Sequence, residues 1–399
     1  MNILFLTLAD FRSIEDKGIY QDLLRVFRNE GHAVTIVNPV ERRKKIGTNL
    51  NTNHGINHLQ VKTLNISKTN ILEKGLATVA IEYQYLKAIK KYFLDIKFDL
   101  VLYSTPPITF FKVIKYIKDR DNAFAYLLLK DIFPQNAIDM GMMKKGGLLH
   151  KYFEKKEKEL YAISDTIGCM SEANKQFIIE NNTNLSTEKI EVNPNTISPI
   201  FIKYNNQEKR EVKKKYNIPL DKIVFVYGGN LGIPQGIDFL IETIATLNEP
   251  SAHILVIGNG TQYNRLKNWF DDKKPSNATL FNKLPKTEYS ALLAACDVGL
   301  IFLDKRFTIP NFPSRLLAYL EMKKPVLAAT DVNTDIGRVI ESANCGYWVE
   351  AGNLIKIQNI ISKLCNDNLI EMGENGWRLL QKEYLVERSY KLISEKIDV

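Results

Sequence analysis

Short apolar runs alternate along the first 200 residues with longer stretches in which apolar positions recur every three or four residues. The first run is residues 3–8. A loop carrying Gly18 follows, then an amphipathic stretch at 20–29 that predicts a helix, stopped at Gly31-His32. Residues 33–37, 100–103, 124–129 and 166–170 are further strand-length runs. Apolar runs without polar alternation predict strands of a parallel sheet covered on both faces, the product of βαβ units. A polar segment between 193 and 222, with Pro194, Pro199, Asn205-Asn206 and clustered Lys and Glu, interrupts the pattern. It restarts at 223–227, passes through a glycine-rich turn into a helical stretch at 237–247, and repeats at 253–257, 278–281, 298–302 and 326–329. Residues 377–396 are helical in pattern and carry no strand. The pattern predicts two doubly wound α/β domains of similar size, joined near residues 198–210. Ligands of such sheets bind in loops after strands, here on the two facing edges of a cleft.

Composition narrows the class. The chain has 399 residues, with 45% hydrophobic and 25% charged, which excludes disordered and fibrous chains. Cys169, Cys296, Cys345 and Cys365 lie far apart with no C-x-x-C pair, so neither a disulfide framework nor a zinc site is indicated, in keeping with a reducing cytosol. The start, MNILFLTLAD, reads as a first strand and not as a signal peptide, and no apolar run is long enough to span a membrane. Net charge is +9 and uneven: residues 1–205 carry 29 Lys+Arg against 22 Asp+Glu, residues 206–399 carry 25 against 23. The basic first half suits an anionic partner, or is simply a soluble basic surface.

Three segments could carry chemistry. In Val226-Tyr-Gly-Gly-Asn-Leu-Gly-Ile-Pro-Gln-Gly236 an apolar strand ends in Gly228, Gly229 and Gly232, and a helix begins after Gly236. Glycines let the backbone approach an anion, and a helix N-terminus offers unpaired N–H groups. The segment is neither a Walker loop nor a G-x-G-x-x-G fingerprint, and a tight turn without a ligand is the alternative. Val256-Ile-Gly-Asn-Gly260 is a weaker second turn around Gly258, with Arg265 on the helix beyond it, either reaching a phosphate or lying exposed. In Pro310-Asn-Phe-Pro-Ser-Arg-Leu-Leu-Ala-Tyr-Leu320, Ser314 is placed to cap a helix and Arg315 stands in its first turn. A cation there opposes the helix dipole, which makes sense against an anionic ligand.

With these residues in view, the chain resembles the family 4 retaining glycosyltransferases, whose GT-B fold is α/β with two Rossmann-like domains. It is most similar to the bacterial branch that adds amino sugars such as N-acetylfucosamine during O-antigen or capsule assembly. The resemblance covers nearly the whole chain. It rests on the Gly18 loop, Gly31-His-Ala-Val34, Lys130-Asp-Ile-Phe-Pro134, the stretch from Asp165 to Ser171, Gly229-Asn-Leu-Gly232 with Gln235-Gly236, and Pro313-Ser-Arg-Leu-Leu317 with Pro325-Val326. It implies an N-terminal acceptor-binding domain at 1–200, a C-terminal nucleotide-sugar domain at 201–380, and a final helix at 381–399 returning to the first domain. It implies that Gly229 and Asn230 lie against the donor diphosphate, with Gln235 where many relatives have lysine, and that Arg315 neutralises the leaving diphosphate. Lys130 and Asp131 match a His-Asp or Arg-Asp pair near the transferred sugar, and Lys283 and Leu284 match the loop that holds the base. Gly18, Gly258, Arg265 and Ser314 complete the expected donor site. Two family glutamates are replaced by Pro310 and Ala318, and Glu321, one helical turn after Ala318, is a candidate substitute.

Breaking a sugar–nucleotide bond develops negative charge on the departing diphosphate, which loop N–H groups, a helix N-terminus and Arg315 would stabilise without a metal or a nucleophilic carboxylate pair. The D-x-D at Asp119-Arg-Asp121 reads as a solvated face. The five histidines form no metal motif, His54 and His58 falling in a polar loop, and no G-x-S-x-G is present. Between Met140 and Tyr161, Met142, Met143, Leu148, Leu149, Tyr152 and Phe153 are interleaved with Lys144, Lys145, Lys151, Lys155, Lys156 and Lys158. This mixture suits an anionic membrane surface, or a helix with its apolar stripe in the core. Arg42-Arg-Lys-Lys45 and Lys112, Lys115 and Lys118 add basic clusters with no nucleic-acid motif beside them. The expected protein is a metal-independent glycosyltransferase, cytoplasmic or peripheral on the cytoplasmic face of the inner membrane. It would use a UDP-linked donor, with an N-acetylated amino sugar suggested by the branch, and a polyprenyl-diphosphate-linked saccharide acceptor, with no nucleic acid. The alternatives are a non-catalytic GT-B subunit binding a partner transferase or a glycan, motivated by Pro310 and Ala318, and a sugar-nucleotide epimerase on the same fold.

Overall fold

The computed structural model describes residues 1–53, 55–66, 71–200 and 204–397. The chain divides into two compact units, Met1–Ser198 with Val386–Val399, and Pro199–Leu385. Each is built on one sheet with helices on its faces.

In the first unit the strands are β1 (Asn2–Leu6), β2 (Ala33–Glu41), β3 (Asn49–Asn53), β4 (Ile56–Thr63), β5 (Leu100–Ser104), β6 (Phe124–Leu129), β7 (Thr166–Cys169) and β8 (Ile190–Val192). They lie in the order β3-β4-β2-β1-β5-β6-β7-β8, all parallel except the β3–β4 pair. The order reverses between β1 and β5, so loops after those strands open at a switch point. The β3–β4 hairpin escapes the sequence pattern because Asn49–Asn53 is polar throughout apart from Leu50 and is an edge strand. His58 therefore lies in a strand and not in a loop, its Nε2 2.8 Å from Asn38 Oδ1. His54 lies outside the described residues.

The second unit has β9 (Ile223–Asn230), β10 (Ala252–Asn259), β11 (Ala278–Phe281), β12 (Val298–Phe302), β13 (Val326–Thr330) and β14 (Gly346–Glu350). All are parallel, in the order β11-β10-β9-β12-β13-β14, with the switch between β9 and β12. One face of the sheet places Phe225, Tyr227, Leu300, Phe302 and Leu327 against Leu240, Ile244, Ile357 and Ile361, all within 1% of full burial. Each such side chain contributes about 1.5–3 kcal/mol by leaving water.

The stretch predicted as one helix at 377–396 is two, Leu369–Glu383 and Val386–Ser394. It breaks because the chain passes between units: the Val386 N–H donates to Ile197 O at 3.0 Å, and Val386 and Ile393 enter the first unit's core. Tyr390 packs on Phe27 with ring centroids 4.9 Å apart. On β9 and β10, Gly229 pairs with Gly258, and a Cβ on Gly258 would stand 2.0 Å from Gly229 O. Backbone cannot yield there as a side-chain end would. Gly258→Ala is therefore expected to lower stability by about 2–3 kcal/mol, read as a fall in the urea midpoint of the second unit.

Candidate active site

β9 ends in Gly228-Gly229-Asn230, and the chain turns through residues 231–236 into the helix Ile237–Thr246. Gly229 has φ +133°, a backbone conformation that favours glycine. Above this turn stands Arg315, the first residue of the helix Arg315–Glu321 that follows β12. Its guanidinium lies over the Tyr227 ring, 4.4 Å from the centroid, and its Nη2 would be 3.7 Å from a Cβ placed on Gly229. Nη1 is buried and has no hydrogen-bond partner among the described residues. The titratable groups that act on it are phenols, Tyr227, Tyr289 and Tyr319, with no carboxylate paired to it among the described residues. A buried cation without a counter-ion is costly, and the two β-strand loops converge on it from the sheet's switch point.

The tyrosines fix this geometry. Tyr319 is fully buried beneath the turn, its hydroxyl 2.9 Å from Leu300 O and accepting from Gly228 N at 3.4 Å. Tyr227 donates to Asn230 O at 2.7 Å. Burial pushes the Tyr289 hydroxyl up to about 12, against the opposing effect of Arg315. The sequence reading missed all three, since aromatics on apolar runs read as core. The one available signal was their coincidence with a glycine turn.

The remaining candidates divide. Asn230 Nδ2 and the Gly232 N–H both donate to Gln235 Oε1, at 3.0 and 3.1 Å, so Gln235 braces the turn internally. Gly258 serves the close approach of β10 to Gly229 described above. Lys283 and Leu284 lie in the loop after β11, tied to β10 by Asn259 donating to Asn282 Oδ1 at 2.7 Å, and the Lys283 N–H donates to the same oxygen. Arg265, expected to reach a phosphate, instead pairs with Asp238 on the exposed surface. Ser314 stands at the N-cap position but makes no side-chain capping bond, because its backbone is already in the helical region at φ −62°, ψ −18°. Glu321 does not stand in for the absent glutamates: it lies six residues beyond Arg315, about 9 Å along the axis, is 3% exposed, and accepts from Ile200 N at 2.7 Å.

In the first unit, Lys130 and Asp131 follow β6. Both their N–H groups converge on Thr105 Oγ1, at 3.0 and 3.1 Å, which pins the turn to the loop after β5. Asn136 donates to Asp131 Oδ1 at 2.7 Å, and Lys130 Nζ is 3.4 Å from Asn193 O. Burial brings Lys130 down to about 7 and raises Asp131 to about 6, so two groups titrate near neutrality at one strand end. Burial likewise raises Glu157, bonded by the Tyr161 hydroxyl at 2.9 Å, to about 7. Gly18 precedes the helix Ile19–Asn29 with φ 172°, extended backbone open to any residue, and its loop is held by Arg25 donating to Asp16 O at 2.8 Å. Asp119 and Asp121 of the D-x-D are ion-paired with Lys115 and Arg120. Among the described residues no group of three or more His, Cys, Asp or Glu is placed to hold a metal.

Residues 208–377 match the family described as Glycosyl transferases group 1. The chain is similar to the probable glycosyltransferase WbjE of Pseudomonas aeruginosa, 26% identical over 329 residues, which are 80% of this chain and 78% of that one. Among solved structures it is similar to sucrose-phosphate synthase of Thermosynechococcus elongatus, with a TM-score of 0.77 at 12% identity, covering 99% of this chain and 98% of that one. Anabaena HepE in complex with UDP-glucose aligns with a TM-score of 0.71 at 14% identity, over 100% of this chain and 99% of that one. The two Rossmann-like units are those of the GT-B architecture, and the protein is a glycosyltransferase.

Proposed function

We propose that this glycosyltransferase moves a sugar, with retention of configuration, from a UDP-linked donor to a polyprenyl-diphosphate-linked saccharide during assembly of a surface polysaccharide. The observation that carries the proposal is Arg315: a half-buried guanidinium stacked on Tyr227 beside Gly228-Gly229, whose Nη1 is buried and has no hydrogen-bond partner among the described residues. The diphosphate of a nucleotide sugar supplies the missing anion. The UDP-glucose held by a structure of the same fold supports that ligand class, and the resemblance to the amino-sugar branch supports an N-acetylated donor.

In this mechanism charge grows on the diphosphate as the glycosidic bond lengthens. Arg315, fixed over the Tyr227 ring, meets it, and that electrostatic stabilisation is the principal source of rate. No metal is needed for that step, and with Pro310 and Ala318 in place of glutamates the ribose is held by backbone and amide groups. Lys130 and Asp131, at the end of β6, bind a sugar hydroxyl. The acceptor is carried on a membrane surface. Met142, Leu148 and Leu149 are 59%, 90% and 56% exposed at the start of the helix Leu148–Ile163, with Lys144, Lys145 and Lys151 exposed beside them, whereas Phe153 and Tyr161 turn inward to the core. By contrast Arg42, Arg43 and Lys44 are matched by Glu73, Glu41 and Asp10. Among the described residues no helix is long and apolar enough to cross a membrane, so the proposal is peripheral docking on the cytoplasmic face.

UDP is expected to raise the thermal midpoint of the purified protein selectively over GDP and ADP by mass action; no shift with any nucleotide removes the donor site from the proposal. Arg315→Ala should lose about 2–4 kcal/mol of transition-state stabilisation, read in the release of UDP from a panel of UDP-sugars, and unchanged turnover would exclude Arg315 from the mechanism. Native Lys130 sheds its proton near pH 7 while the unfolded chain holds it to about 10.4. The unfolded state therefore binds more protons between those values, and stability gains a rising contribution across them. Lys130→Met should flatten the change in thermal midpoint between pH 7 and pH 10 relative to the parent. Leu148→Ser with Leu149→Ser should reduce partition onto phosphatidylglycerol vesicles by at least about tenfold, measured by co-sedimentation, while leaving UDP binding unchanged.

A further inference from the structure

Tyr289 lies on the helix Lys286–Ala295, at a position that neither the glycine motif nor the arginine motif includes. Its phenol covers Gly228 so closely that a Cβ there would stand 2.0 Å from Oη and 2.7 Å from Cζ. The next residue, Gly229, is covered by Arg315. Two adjacent glycines thus carry two adjacent side chains, a phenol and a guanidinium. Arg315 interacts electrostatically with the Tyr289 hydroxyl. The neighbouring hydroxyls are committed: Tyr319 bridges Gly228 N and Leu300 O, and Tyr227 donates to Asn230 O. Among the described residues none forms a hydrogen bond with Tyr289 Oη, and the side chain is half-buried.

We propose that Tyr289 is a phosphate-binding residue, its hydroxyl donating to a phosphate oxygen of the bound nucleoside diphosphate alongside Arg315 Nη1. The inference deepens the donor reading and rests on it. A neutral phenol held beside a guanidinium is a suitable second donor, since it adds a directional, charge-assisted bond without adding a second buried cation. It also gives Gly228 a reason distinct from that of Gly229. Gly229 is required by its φ of +133°, whereas Gly228 is required by the space the phenol occupies.

The test compares Tyr289→Phe with the parent by calorimetric titration, using whichever of UDP, GDP and ADP binds the parent and the matching nucleoside. Phenylalanine keeps the ring packing, and equal thermal midpoints without ligand confirm that the variant is folded. The expected result is roughly tenfold weaker binding of the diphosphate with nucleoside binding unchanged. Equal diphosphate affinity in variant and parent overturns the assignment of Tyr289 and leaves the donor site standing. Equal weakening of diphosphate and nucleoside also overturns it, since the residue would then shape the pocket without touching phosphate. A parent that binds none of the three diphosphates overturns the donor reading itself, and this inference with it.

Discussion

A guanidinium placed among phenols and glycines, with no carboxylate beside it, is the constraint around which the second unit is organised. Burying that charge costs several kcal/mol unless something compensates, and within the unit the compensation is partial: the face of Tyr227, and peptide oxygens engaged by hydroxyls nearby. Stacking on an aromatic face contributes about 1–2 kcal/mol where water is excluded.

The surroundings follow from this. Tyr319 must be fully buried to lock the turn from below, and Gly299 is glycine because a Cβ there would come within 2.4 Å of the Tyr319 ring. Gly258 must lack a side chain for β10 to pass the carbonyl of Gly229. Gln235 braces Asn230 and Gly232 and adds no second charge beside Arg315.

How much of this was legible in the sequence follows from which signals are local. Apolar runs placed β6 and β12 at their observed bounds, because a buried parallel strand has no polar face to blur its ends. The glycine turn and Arg315 were visible since each breaks a local rule, left-handed backbone in one case and a cation at a helix start in the other. What failed was non-local. Arg265 is drawn away by Asp238, 27 residues distant in sequence, and Glu321 is claimed by the backbone of Ile200. Tyr227, Tyr289 and Tyr319 could not be told from core aromatics until one strand and two helices brought them together. The split of the last helical stretch had no local signal either, since residues 377–396 keep helical spacing through the break.

That last helix has a consequence for how the protein is made. The first unit is discontinuous in sequence: its opening 198 residues are completed by a segment beginning at Val386. Val386 and Ile393 are fully buried in a core shared with Phe27, Leu23 and Leu24, so until this helix arrives the apolar patch around Phe27 is uncovered. The intervening Pro199–Leu385 takes roughly 10–40 s to synthesise at ordinary ribosomal rates. During that interval the second unit can fold as a contiguous piece while the first waits. The nascent chain therefore carries a nearly finished domain with an exposed apolar patch for tens of seconds, until Val386–Ser394 is made and seals it.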